Sequence, residues 1–145
     1  MGKINWTRVL LGGLIAGVVG IVFQFAVWVP LVGRSLSAAL QALGHPMQET
    51  VGSTVATIVL WFIAAILIIW LYAAIRPRYG AGPKTAFLAG FAGGILGGVL
   101  PDIGWGLELR LIPARVWVGD AIVTLVTCVI ATVLGAWVYK EQAEG

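Results

Sequence analysis

The sequence predicts an all-α integral membrane protein, folded as a bundle of four membrane-spanning helices. Of its 145 residues, 60% are hydrophobic and only 10% are charged, whereas soluble domains carry about a quarter charged residues. The apolar residues form four stretches, and each meets or approaches the ~20 residues that a helix needs to cross a bilayer. They lie at about residues 9–32, 51–75, 85–105 and 116–138. Short connections join them, so residues 1–145 form one domain.

The basic residues predict that both ends of the chain lie in the cytoplasm. Lys and Arg resist translocation and stay on the cytoplasmic side. The two tails and the second connection hold six of the nine basic residues. In the second connection these are Arg76, Arg78 and Lys84, which we interpret as cytoplasmic anchors. Because the basic residues lie at span ends rather than on one polar face, a nucleic-acid partner is not expected.

The first connection contains a possible short helix. Pro30 and Gly33 are expected to end the first span, since proline interrupts the hydrogen-bond ladder. Residues 35–43 then place leucine and alanine on one side at helical spacing. Ser35 or Ser37 is a candidate cap, and Gly44 is a candidate end. A helix on the outer surface and a partly ordered loop are both compatible with this pattern.

The prolines also mark the later spans. Arg76-Pro77-Arg78 is expected to end the second span, and Gly80, Gly82 and Pro83 provide turn chemistry. Pro101 interrupts the third span. A helix that stopped there would be roughly 24 Å long, shorter than the ~30 Å hydrocarbon core. We therefore expect the helix to continue past Pro101, with a kink, toward Trp105.

Small residues at four-residue spacing predict helix-packing surfaces in the first and third spans. Helices in lipid associate through close van der Waals contact, which small residues permit. These surfaces serve either packing within the chain or contact with a second copy or a larger partner. The candidate packing residues are Gly12, Ala16 and Gly20 in the first span and Gly90, Gly94 and Gly98 in the third.

Polar residues are predicted to gather in the outer third of the membrane. An acid inside a span is costly, so Asp120 should face the bundle or the outer interface. Arg115, Arg110 and Gln24 are its candidate partners. The cluster is a structural charge pair, a small-ligand or proton site, or a contact to another subunit. Its members are Gln24, Ser53, Thr57, Asp120 and Thr124.

The residue types predict no enzyme, metal site or cofactor. One Cys and one His do not provide the ligand set of a zinc or haem site. Asp102 and Glu108 could be considered paired carboxylates, but no nucleophile, histidine or metal cluster accompanies them.

Two stretches of sequence resemble those of a group of small, four-span bacterial membrane proteins. They are Leu71-Tyr72-Ala73-Ala74-Ile75-Arg76-Pro77-Arg78-Tyr79-Gly80-Ala81-Gly82-Pro83-Lys84-Thr85-Ala86 and Gly135-Ala136-Trp137-Val138-Tyr139-Lys140-Glu141. The proteins in this group are uncharacterised and have no assigned activity. The resemblance implies a multi-pass protein of the bacterial inner membrane and transfers no site residue.

Two functions are compatible with the sequence. The first is a non-catalytic accessory or scaffold subunit that packs within a larger membrane complex or associates with itself, with lipids and other membrane subunits as its partners. The alternative is a small oligomeric transporter or channel that uses the polar cluster around Asp120. Small multidrug-type exporters also have four spans, but they rely on an acid deep in the first span, where this chain offers only Gln24.

Overall fold

The computed structural model describes residues 4–48 and 50–140, apart from the side chain of Leu109. This part of the chain is a bundle of four long helices without strands, which confirms the predicted all-α fold. All four are long and apolar enough to cross a membrane, so the chain is a multi-pass membrane protein. They are α1 (Trp6–Ala42), α2 (Val51–Tyr79), α3 (Pro83–Glu108) and α4 (Ala114–Ala136). Following the predicted orientation, the end with the first and third connections is named the outer end.

Helix α1 is longer than predicted because it does not stop at Pro30. It passes through a π-helical segment, Gln24–Gly33, and continues as α-helix over Arg34–Ala42. Proline clashes with the carbonyl four residues earlier in an α-helix, and the wider i→i+5 turn of a π-helix relieves this contact. The expectation that Pro30 and Gly33 end the first span is therefore wrong.

The predicted short helix in the first connection is present, but it is an extension of α1. It spans Arg34–Ala42 and follows the π-helical segment without a break, so neither Ser35 nor Ser37 caps it. Its predicted end is confirmed, since Gly44 has a φ of 76°. The Gly44 N–H donates to the Gln41 carbonyl at 3.0 Å, and the His45 N–H donates to the Leu40 carbonyl at 3.0 Å. These two bonds form a Schellman motif.

The turn between α2 and α3 lies at the predicted glycines, and α2 ends one residue later than expected. Helix α2 passes through Pro77 and ends at Tyr79, so the predicted end at residues 76–78 is wrong. Gly80 and Gly82 have φ values of 84° and 127°, which favour glycine. Pro83 is the first residue of α3, where its missing N–H costs nothing.

Helix α3 continues past Pro101, as predicted. A π-helical turn at Ile95–Val99 precedes the proline, and an α-helical segment follows over Leu100–Leu109. In both α1 and α3 a π-helical segment thus accompanies the proline: it contains Pro30 in α1 and ends two residues before Pro101 in α3. The continuation places Asp102 inside the span.

The bundle is closed at its inner end and open at its outer end. Helix α4 packs along both α1 and α3, whereas α2 packs mainly on Trp6–Phe23 of α1 and Pro83–Gly94 of α3. The outer part of α2 therefore stands apart: every residue from 51 to 60 except Ile58 is exposed. A cleft separates this part of α2 from α3 and α4.

The predicted packing residues of α1 lie at contacts within the chain. A Cβ built on Gly12 would lie 2.7 Å from the carbonyl oxygen of Gly135 in α4. The Cβ of Ala16 would lie 3.0 Å from one built on Gly135. A Cβ on Gly20 would meet the Trp61 ring of α2 at 3.4 Å. These three positions are covered by α2 and α4.

The predicted packing residues of α3 all face α4. A Cβ on Gly90 would lie 2.8 Å from the Cys128 carbonyl oxygen, and one on Gly94 would lie 2.8 Å from Leu125. One on Gly98 would lie 2.6 Å from Thr124. The two helices approach so closely only because these positions carry no side chain.

Aromatic and basic side chains close the inner end. The rings of Tyr72 and Tyr139 meet edge to face, with centroids 5.8 Å apart. The guanidinium carbon of Arg76 lies 5.4 Å from the centre of the Tyr139 ring, a cation–π arrangement. Of the three predicted anchors, Arg76 is thus half-buried in this cluster, whereas Arg78 and Lys84 are exposed.

Candidate functional site

Asp120 is held by hydrogen bonds near the outer end of α4. The indole Nε1–H of Trp28 donates to Asp120 Oδ1 at 2.7 Å. The Thr124 hydroxyl, one helical turn away, donates to the same oxygen at 3.3 Å. The predicted partners Arg115, Arg110 and Gln24 are not its hydrogen-bond partners in the described structure. Trp28 reaches Asp120 because the π-helical segment Gln24–Gly33 of α1 packs against α4.

A second carboxylate, that of Asp102, lies close to Asp120. The two are near enough for their charges to interact. Asp102 Oδ2 is buried and has no hydrogen-bond partner within the described residues. Glu108, which the sequence suggested as a possible pair for Asp102, is exposed at the end of α3. The predicted continuation of α3 past Pro101 already implied a similar depth for Asp102 and Asp120, but the two carboxylates were not predicted to form one site.

Both carboxylates line the cleft beside α2. The cleft has a volume of about 360 Å³, within the range of small-molecule sites. The wall from α2 includes Thr57, Trp61 and Ile68. The opposite wall combines the glycine-rich face of α3 with the polar face of α4, and it reaches Cys128. The cleft is therefore charged in its outer part and apolar in its inner part.

A smaller cavity of about 160 Å³ lies beyond the carboxylates at the outer end. Leu36 from the extension of α1 lines it, together with Trp105, Trp117 and Arg110. Asp102 and Asp120 line this cavity as well. They therefore lie where the outer cavity meets the cleft.

Three of the five residues of the predicted polar cluster lie together in the structure, and two lie elsewhere. Thr57, Asp120 and Thr124 line the cleft. Ser53 instead forms a capping box with Thr50 at the start of α2, in which the Ser53 N–H donates to Thr50 Oγ1 at 3.1 Å. Gln24 is half-buried on α1 and does not line the cleft. The site residues absent from the sequence prediction are Trp28, Trp61 and Asp102.

The carboxylates have no basic side chain as an ion-pair partner in residues 4–48 and 50–140. No Lys or Arg nitrogen there lies within 4.0 Å of Asp102 or Asp120. No group of three His, Cys, Asp or Glu residues in the same ranges could hold a metal ion. A carboxylate inside a span is stabilised by a counter-charge, by hydrogen bonds or by water. Within the described residues, Asp120 has hydrogen-bond donors, whereas Asp102 Oδ2 has none.

Removing the Trp28 hydrogen bond should measurably destabilise the bundle. Trp28→Phe leaves Asp120 Oδ1 with Thr124 as its donor, and a hydrogen bond to a charged group contributes about 1.5–3 kcal/mol. We expect a loss of that size in SDS-induced unfolding from mixed micelles, followed by circular dichroism. Trp137→Phe is the control, because Trp137 is 74% exposed and should change stability by less than about 0.5 kcal/mol. Equal losses would show that the indole bond is not the cause.

A scan of protein-family models, a search of curated proteins and a search of solved structures found no match to this chain.

Proposed function

We propose that this protein binds a cationic solute in the cleft, as the binding step of a small membrane transporter or channel. The observation that carries the proposal is the pair Asp102 and Asp120, which face an open cleft with no ion-pair partner from the described residues. Two carboxylates in one site repel each other, and a cation between them relieves that repulsion. A cleft lined by one sign of charge concentrates counter-ions.

A second candidate is the accessory subunit, in which a helix of another membrane protein or a second copy fills the cleft. Residues 51–60 favour it, because all but Ile58 are exposed and one more helix would cover them. The glycine surfaces do not favour it, since α2 and α4 already cover them. Recovery of the chain with other subunits under mild detergent extraction supports this candidate, and recovery alone counts against it.

The proposed setting is the bacterial inner membrane, with both termini in the cytoplasm. The resemblance of residues 71–86 and 135–141 to small bacterial membrane proteins supports the location. The exposed Arg78 and Lys84 beside the inner turn support the orientation. In this orientation the cleft opens toward the outside of the cell.

Thiol labelling tests the cation preference of the cleft. Thr57→Cys is made in a Cys128→Ser background, which removes the only native thiol. Rates are measured in nanodiscs with methanethiosulfonate ethyltrimethylammonium, a cation, and methanethiosulfonate ethylsulfonate, an anion. Both rates are normalised to those of a small free thiol. We expect the cation to react roughly 10- to 1,000-fold faster.

Two controls separate charge selectivity from exposure. Val59→Cys lies two residues along the same helix, about 200° around its axis, and is exposed without lining the cleft. Facing lipid, it should resist both reagents. Asp102→Asn with Asp120→Asn should remove the preference at position 57. A preference that survives this double replacement contradicts the proposal.

A further inference from the structure

We infer that the ligand of the cleft is an amphipathic organic cation that enters sideways from the outer leaflet of the membrane. The inference rests on the proposed cation-binding function and adds the chemical class of the ligand and its route. The distribution of polar and apolar groups along the cleft indicates the class, and the position of α2 indicates the route.

The cleft is charged at one end and apolar at the other. Asp102 and Asp120 line its outer part, whereas Trp61, Ile68 and Cys128 line its inner part. A bare metal cation needs several ligands to replace its water, and no group of three His, Cys, Asp or Glu residues in the described part of the chain could hold one. A quaternary ammonium group gives up water more easily and binds aromatic faces. An attached hydrocarbon would pack against the apolar inner wall.

The cleft also opens toward lipid. The outer part of α2 has no extensive contact with the π-helical turn or the Leu100–Leu109 segment of α3, and residues 51–60 are exposed except for Ile58. An amphipathic cation already concentrates in the lipid headgroup region, with its chain among the acyl chains. In this position the charged group of the cation lies at the depth of the two carboxylates. The cation can therefore reach them by moving sideways within the outer leaflet.

Protection of Thr57→Cys tests the ligand class. The variant is again made in the Cys128→Ser background and is labelled in nanodiscs with N-ethylmaleimide, a neutral reagent. The added compounds are tetramethylammonium, decyltrimethylammonium and decyl sulfate. Decyltrimethylammonium should halve the labelling rate at an aqueous concentration at least about tenfold lower than tetramethylammonium requires. Decyl sulfate, with the same chain and the opposite charge, should not protect.

The possible results distinguish the amphipathic class of the ligand from the proposed cation site. Equal protection by the two cations overturns the amphipathic class and keeps the proposed cation site. Equal protection by decyltrimethylammonium and decyl sulfate overturns the inference, because the chain alone is then sufficient. If neither cation protects, the inference and the proposed function both fail. Protection that persists in Asp102→Asn/Asp120→Asn also overturns the inference.

Discussion

Replacing Gly90 by alanine will lower the free energy of unfolding by about 1–3 kcal/mol, the range found for overpacked interiors. The added Cβ would lie 2.8 Å from both the Cys128 carbonyl oxygen and the Val129 Cα. Both are backbone atoms of α4, so no side-chain rotation relieves the contact. Helix α4 must move away from α3, and neighbouring contacts are lost with it. Unfolding by SDS in mixed micelles, followed by circular dichroism, measures this loss.

Gly97→Ala is the matched control for this prediction. Gly97 lies seven residues further along α3, and a Cβ built there meets no atom within 4 Å. Alanine also has a higher helix propensity than glycine, so we expect no loss of stability. A loss at Gly97 equal to that at Gly90 would contradict the close α3–α4 contact as the cause. No loss at either position would show that α4 moves freely.

The second large effect is expected from removing both cleft carboxylates. Asp102→Asn together with Asp120→Asn should reduce uptake of decyltrimethylammonium into proteoliposomes by at least about tenfold. A unit charge 4 Å from a carboxylate gains about 4 kcal/mol at an effective dielectric constant of ~20, and tenfold in affinity requires only about 1.4 kcal/mol. Each asparagine has nearly the shape of the aspartate it replaces, so the change removes charge with little change in volume.

Glu108→Gln is the control for charge outside the cleft. Glu108 lies on α3 six positions beyond Asp102, is exposed and lines neither cavity. It removes one negative charge, against two in the double variant, and uptake should stay within about twofold of the parent because exposed charges are screened by salt. Unchanged uptake in the double variant would remove the carboxylate pair from the transport step.

The spans were predictable from the sequence, but their ends were not. Hydrophobic length predicts spans because lipid requires each backbone amide to be paired inside the segment. The same requirement keeps a helix intact through a proline, as at Pro30 and Pro77, where rules from soluble proteins predict an end. Gly80, which was predicted as a turn glycine, has a positive φ and directly follows the last residue of α2.

The cleft depends on which helices are neighbours, and one sequence does not contain that information. Asp120 was recognised because a buried acid is unusual, yet its donor Trp28 lies near the predicted outer end of the first span, where tryptophan is common in any membrane protein. Trp61 lies in the middle of a span and gave no sign of facing a cavity. The depth of Asp102 was predictable, because the predicted continuation of α3 through Pro101 places it level with Asp120.

The isolated outer part of α2 has a consequence for biochemical work. Residues 51–60 gain little support from other helices, and their N-terminal end depends on the Thr50–Ser53 capping box. Surrounding hydrocarbon keeps such a segment helical, because an amide that opens there finds no water to bind. A short-chain detergent admits water at this depth and removes that constraint. Solubilisation in such a detergent would therefore unfold this wall of the cleft first, and the purified protein would lose binding of the proposed cation while the inner end stays folded.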